Sequence, residues 1–375
     1  MKYAFTVIAV VLVSASCDEI APNARDAAWR TPTGAEYGDF ASGNTPATDG
    51  ARFFATHRLG VDAFDAQTGT RLWRTEGLRG AELTTLLLAK SGRLYAAGDR
   101  VAALDATAGA VLWSFRPDST ASLTDNAADD EMVFAGDYGR NVYALDGATG
   151  TLRWRTNVTG ADWMPVRFNP LRGLAVSGDT VYASAERKYS VNGFYSAAVV
   201  VALDRRSGRE LWRHQHGGAT SRNGVGGFVV VSGSMLVYAD IRAGAYVGLR
   251  LSDGAELWRV TTGATFAGPS RAPAVVGGVV YGGTPDTYVY AIEAITGRVL
   301  WKNNPVGGSI YHTAVCGSAV YANWLGLMVL ERRSGRFLGK SFHEGDDMAR
   351  SGFAVAGSRI FFLTTRHAVA LNCAP

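Results

Sequence analysis

The sequence predicts an all-β chain, an eight-bladed β-propeller of four-stranded antiparallel blades closed by pairing of its N- and C-terminal strands. Three observations carry this. One strand–turn–strand unit recurs along the chain, its copies follow the period of a four-stranded blade, and the two termini hold complementary halves of the unit.

The clearest copy runs from Val142 to Trp154. Val142 and Ala144 alternate with Tyr143 and Leu145 at the two-residue period of a pleated strand. Asp146 to Gly150 is a polar turn whose glycine can take a positive φ. Leu152 and Trp154 then share one face of the returning strand. Such a hairpin cannot bury its own apolar face, so it needs neighbours of the same kind.

The chain supplies them. Ala63-Phe64-Asp65 leads through Thr68-Gly69 to Trp73, Ala103-Leu104-Asp105 through Gly109 to Trp113, Ala202-Leu203-Asp204 through Ser207-Gly208 to Trp212, and Ala291-Ile292-Glu293 through Thr296-Gly297 to Trp301. Two copies are worn. Gly248-Leu249-Arg250 lacks the acid but keeps Gly254 and Trp258, and Val329-Leu330-Glu331 keeps Ser334-Gly335 but has Gly339 in the tryptophan slot. In every copy the slot falls four residues after the turn glycine. Trp29 included, this unit accounts for seven of the nine tryptophans. Their intervals are about 40 to 46 residues, with a longer one between Trp154 and Trp212, which suits four-stranded blades. Each interval also holds an inner hairpin, such as residues 274–281.

The chain ends on Val369-Ala370-Leu371-Asn372, a first half-unit without a tryptophan, and begins near Ala28-Trp29-Arg30, a second half without an Ala-Leu-Asp. Side by side, the two halves complete an eighth blade and remove the free sheet edges of an open array. A linear β-solenoid would explain the period but not these complementary ends. Length fits as well: 375 residues with 45 glycines and no linker-like composition shift suit a fold that grows by repetition.

The Ala-x-Asp-x-x-Thr-Gly-x-x-x-Trp unit resembles the repeat of the quinoprotein-type (PQQ-like) eight-bladed propellers. That family holds the pyrroloquinoline-quinone alcohol dehydrogenases and a non-enzymatic outer-membrane assembly lipoprotein, BamB. The resemblance covers nearly the whole chain after its first segment. It implies that Trp29, Trp73, Trp113, Trp154, Trp212, Trp258 and Trp301 dock between blades on the glycine turn of a neighbour. Repetition around the ring makes them structural rather than ligand-stacking groups.

The N-terminus reads as an address. Lys2, an apolar run from Tyr3 to Val13 and the small Ser14-Ala15-Ser16 precede Cys17, a pattern that looks like a bacterial lipoprotein signal with Cys17 as the lipidated residue. Ser14 replaces the favoured leucine, and Asp18 resembles an inner-membrane retention signal, which leaves the choice of membrane open. The expected organisation is a signal over 1–16, a tether over 17–27 and the propeller over 28–375, exported to the periplasmic side of the cell envelope. The remaining cysteines, Cys316 and Cys373, belong to turns at different radii of adjacent blades. That placement favours two separate thiols over a disulfide.

Catalytic signatures are missing from the sequence. The dehydrogenases carry adjacent cysteines and a calcium site of carboxylate and amide ligands, and neither pattern is found. Asp129-Asp130-Glu131 and Asp346-Asp347 read as solvated turns. There is no Gly-x-Ser-x-Gly elbow, Walker loop or His-Glu-x-x-His, and Gly224-Val225-Gly226-Gly227 is not followed by the helix a dinucleotide fingerprint needs. His214 and His216 could face one way as two ligands, but no third is identifiable, so no metal or cofactor is expected. The net charge of +4 is spread out and indicates no nucleic-acid partner.

Surface candidates remain. The fourth repeat inserts a hairpin extension, Glu186 to Tyr195, whose Arg187, Lys188, Tyr189, Phe194 and Tyr195 are candidates for binding a partner. Trp324, outside the repeat slot in a short hairpin turn, is another. Arg222, Arg271, Tyr311, His312 and Arg350 precede successive inner strands and form a candidate ligand ring at the funnel mouth. The expected function is a non-catalytic scaffold, a monomer within a larger complex, with a protein partner that the resemblance implies is the outer-membrane barrel assembly machinery. A quinone- or small-molecule-binding propeller, including a degenerate dehydrogenase, is the alternative.

Overall fold

A computed structural model of the chain describes residues 27–33, 45–57, 60–78, 86–118, 123–159, 171–188, 196–217, 226–240, 243–262, 273–284, 287–304, 310, 312–323, 326–342, 348–349 and 351–374. The expected signal and the tether up to Asp26, Cys17 included, lie outside these residues, while Ala27, expected to end the tether, already belongs to the first described strand. The described strands form eight antiparallel sheets of four strands each. Blades 1 to 7 span residues 47–76, 86–115, 123–157, 171–217, 226–261, 274–303 and 312–341. Blade 8 combines residues 354–372 with the first strand of the chain, Ala27–Pro32. That strand pairs antiparallel with His367–Asn372, setting Trp29 opposite Ala370 and Thr31 opposite Ala368. The ring closes as the complementary ends require.

Within a blade, burial follows position. The second and third strands carry apolar side chains on both faces, because both are covered by neighbouring blades. Val142, Tyr143, Ala144 and Leu145 in the third strand of blade 3 are all buried, as are Val133, Phe134 and Ala135 beside them. The outermost strand has one exposed face: along Leu152–Asn157 only Trp154 is buried, and a register shift opposite Ala144 and Leu145 puts exposed Leu152 on the other face from Trp154, contrary to the shared face expected from their spacing.

The turn between third and outermost strands repeats with little variation. In blade 3 the Asp146 carboxylate accepts the N–H groups of Ala148 and Thr149 and the Thr149 hydroxyl, while Gly150 donates its N–H to the Asp146 carbonyl at 2.8 Å. Gly150 sits at φ +72°, a left-handed conformation that favours glycine. The Arg153 guanidinium, then the Thr149 N–H, hold the Asp146 carboxyl down at about 2. Donors in the equivalent turns likewise lower Asp65, Asp105, Asp204 and Glu293.

Seven seams between blades are joined in one way. Each tryptophan lies flat on the turn glycine of the next blade: Trp73 on Gly109, Trp113 on Gly150, Trp154 on Gly208, Trp212 on Gly254, Trp258 on Gly297, Trp301 on Gly335, and Trp29 across the closure on Gly69. A Cβ on any of these glycines would fall 2.4–2.6 Å from the ring. The indole N–H also donates into the next blade, to the carbonyls of Ala106, Gly147, Arg205, Leu251, Ala294, Arg332 and, from Trp29, Ala66, at 2.8–3.1 Å. The same ring-on-glycine contact and indole hydrogen bond recur at all seven positions. Buried indole N–H groups need an acceptor, and the turn supplies one at each seam.

Cys316 and Cys373 form a disulfide, with Cα atoms 5.4 Å apart. The expectation of two separate thiols was wrong. Radial position along a blade does not separate them, because the last strand of blade 8 continues over the inner hairpin turn of blade 7, where Ser318 donates its N–H to the Ala374 carbonyl.

Candidate interaction face

Antiparallel strand order divides the ring into two faces. The glycine turns and inner-hairpin turns lie on one. The connections between second and third strands, and those leading from one blade to the next, lie on the other. The strands flanking every surface candidate in the sequence end at this second face. Residues 189–195 link the second and third strands of blade 4, and 324–325 link those of blade 7. Arg222, Arg271, Tyr311 and Arg350 precede blades 5, 6, 7 and 8. Tyr189, Phe194, Tyr195, Trp324, Arg222, Arg271, Tyr311 and Arg350 themselves lie outside the described residues.

Of the funnel candidates, His312 is described. It opens the inner strand His312–Cys316 and is buried at 5% exposure, and its N–H donates to Asn323 Oδ1 at 3.0 Å. Asn323 Nδ2 donates on to the carbonyl of Ser351, just before blade 8, at 2.6 Å. His312 thus belongs to the packing between blades 7 and 8.

Blade 4 has the extension that the long interval implied. Thr180–Lys188 and Ser196–Asp204 are nine residues each, against five or six for the same strands of the other blades. The additional ladder pairs Glu186 with Ala198, Arg187 with Ala197 and Lys188 with Ser196. The outermost strand lengthens with it, pairing Gly217 with Ala197.

Buried charge fixes the base of this hairpin to blade 3, and sequence reasoning did not find it. Arg140, at φ +61°, is wholly buried, and so is Asp137; Glu186 is 3% exposed. Burial pulls the Arg140 guanidinium down to about 10, opposed by the negative charges of Glu186 and Asp137, which leaves it charged at neutral pH. Asp137 also accepts from Asn141 and the Tyr143 hydroxyl. Nothing in a Gly-Arg-Asn turn marks its arginine as buried, because the group that covers it arrives from the next blade.

A second charged cluster joins blades 4 and 5 on the same face. His214 and His216 do face one way, as their spacing indicates, and each meets a carboxylate of blade 5. His216 Nδ1 lies 2.6 Å from fully buried Asp240 Oδ2, and His214 Nε2 lies 3.5 Å from Glu256 Oε2. Arg259 binds Glu256 through two nitrogens at 2.9 and 2.7 Å and approaches Asp240 at 3.7 Å. Burial lowers the pKa of His214 and raises that of Tyr238, whose hydroxyl lies 3.3 Å from His214 Nε2. Among the described residues no group of three or more histidines, cysteines or acids is arranged to hold a metal ion.

On the opposite face, Asp129 and Glu131 are not merely solvated. Arg205 of blade 4 binds both, at 2.5 and 2.7 Å, as a strap across the seam. Asp346-Asp347 lies outside the described residues.

A Yersinia pestis protein named outer membrane protein assembly factor BamB is 25% identical over 303 residues, 78% of this chain and 64% of that protein. A polyvinylalcohol dehydrogenase of a Pseudomonas species is 25% identical over 335 residues, 68% of this chain and 52% of that protein. The chain spans less than two thirds of the length of both curated relatives. The crystal structure of BamB from Moraxella catarrhalis shares the fold, with a TM-score of 0.65 at 16% identity, covering 92% of this chain and 96% of that one. A family model described as outer membrane protein assembly factor BamB matches residues 23–191 and 196–349, both halves of the ring. With its eight blades, its docked tryptophans and that match, the chain belongs to the BamB family of PQQ-like propellers.

Proposed function

We propose that this propeller is a non-catalytic scaffold for protein–protein contact in the assembly of outer-membrane β-barrel proteins. It is exported, acts on the periplasmic side, and is tethered to a membrane through a lipid on Cys17. The observation that carries this reading is the family match, which runs through the whole ring rather than one or two blades. The lengthened hairpin of blade 4 supports it. Its base is held by buried Arg140 and Glu186, so the connection it carries is presented from a rigid support. Among the described residues the outermost strand of each blade has one edge without a paired strand, so an incoming strand can add to it by β-augmentation. Cysteine usage argues against the quinone dehydrogenase alternative, since Cys316 and Cys373 bond to each other across a seam and no adjacent pair exists.

The test is crosslinking in the native envelope fraction, followed by identification of the trapped proteins. Barrel-assembly components should be recovered, and recovery should fall on Trp324→Ala or on deletion of residues 189–195 with the far-UV spectrum unchanged. Good recovery of the protein with none of these partners would sink the reading. Dye-linked alcohol oxidation after addition of pyrroloquinoline quinone and calcium would move it to the dehydrogenases.

A further inference from the structure

Eight blades make eight seams, and the tryptophan dock serves seven. The exception lies between blades 7 and 8. Blade 7 offers Gly339 in the tryptophan slot, and blade 8 takes its outermost strand from Ala27–Pro32, so no glycine turn joins its third and outermost strands.

Blade 8 nevertheless keeps the position that would receive an indole. In every blade the residue after the third strand's acid position donates its N–H to the inner-hairpin turn of its own blade. The eight donors are Ala66, Ala106, Gly147, Arg205, Leu251, Ala294, Arg332 and Cys373, at 2.7–3.1 Å. The first seven also give their carbonyls to the tryptophan of the preceding blade. Cys373 is the eighth member, and in place of an indole it receives the sulfur of Cys316, from blade 7.

The surroundings have adapted to this exchange. A Cβ on Gly317 would lie 2.0 Å from the Ala374 carbonyl oxygen, so a residue larger than glycine would displace the tail. Tyr321 occupies in blade 7 the place of Tyr95, Tyr182 and Tyr281, which pack against their blades' tryptophans at 5.8–6.0 Å. Having no tryptophan beside it, Tyr321 accepts the Ala374 N–H at 2.9 Å.

We propose that the Cys316–Cys373 bond is a redox-controlled clasp that takes the place of the missing dock, so that closure of the ring between blades 7 and 8 depends on oxidation. This does not rest on the assembly function. Exchange with a dithiol reductant breaks the Sγ–Sγ bond, leaves a thiol on each cysteine, and oxidises the reagent to its cyclic disulfide. Without the bond, that seam keeps packing, main-chain contacts and the hydrogen bonds of Asn323 to Ser351 and of Ala374 to Tyr321, but no covalent tie or docked indole, while the other seven keep their indoles. Reduction should therefore loosen one seam and leave the ring otherwise folded.

Hydrogen exchange read by mass spectrometry on the purified full chain, with and without dithiothreitol, tests this. Amides of residues 27–32, 312–323 and 354–374 should exchange about tenfold faster in the reduced protein, while those of blades 2 to 4 change less than about twofold. A Cys316→Ser/Cys373→Ser variant should reproduce the pattern without reductant. Because the reductant acts on folded wild-type protein, failure of the variant to fold leaves the test intact. Unchanged exchange at the seam would overturn the proposal. So would an equal rise in all blades, which would mean that the bond acts only by restricting the unfolded chain.

Discussion

Gly150→Ala separates the two physical demands made on a docking glycine. The backbone there is left-handed at φ +72°, and the new methyl would lie 2.6 Å from Trp113 Cδ2 and Cε3. Left-handed backbone costs a non-glycine residue about 1–2 kcal/mol. Pushing the indole off its seat adds an overpacking cost of about 1–3 kcal/mol. If the Trp113 N–H then loses the Gly147 carbonyl, now 3.1 Å away, about 1 kcal/mol more goes. The sum is about 3–6 kcal/mol. Gly92 isolates the first contribution: it sits at φ +74° with nothing within 4 Å of a built Cβ. Gly92→Ala should therefore cost only about 1–2 kcal/mol. Urea unfolding followed by far-UV circular dichroism compares the two midpoints against wild type. Equal losses would refute the reasoning, since they would mean that contact with the indole contributes nothing beyond backbone conformation.

Gly173→Ala should also destabilise, by about 2–3 kcal/mol, although its backbone is not left-handed. A Cβ there would lie 2.7 Å from the Val229 main-chain nitrogen in the next blade, an atom that cannot swing aside; the urea midpoint checks it. Acid should destabilise the protein through its turns. The Asp146 carboxyl, held at about 2 in the folded chain against its ordinary 3.8, contributes stability that is full above about pH 4 and is lost as pH falls through 2. The urea midpoint should drop between pH 5 and pH 3, less so in Asp146→Asn, and a midpoint independent of pH over that range would contradict this.

The fold was legible because a propeller writes one blade many times. The Asp-to-Gly turn and the tryptophan four residues later are local chemistry, and local chemistry repeated at a fixed period betrays the architecture. The termini gave the closure for the same reason. What escaped was contact between blades that does not repeat. Arg140 reads as an exposed turn arginine until Glu186 of the next blade covers it, and Arg205 reads as a surface residue until Asp129 and Glu131 come within reach. The cysteine pair escaped likewise. Each thiol sits at its own turn in the sequence, and only the path of Cys373 and Ala374 over blade 7 brings them together. The worn slot at Gly339 was itself a signal, since a seam without its tryptophan needs another fastening.

The docks also run in one rotational sense, each blade holding the next. An extra blade copied into any of the seven docked seams would find a glycine turn for its tryptophan and a tryptophan for its turn. Nothing in those seams counts blades. The number eight is kept by the chain ends, where a strand from each terminus must share one sheet and a sulfur pair spans the remaining seam. Gene duplication could lengthen such an array one blade at a time, and the terminal sheet is where each trial ring would succeed or fail to meet itself.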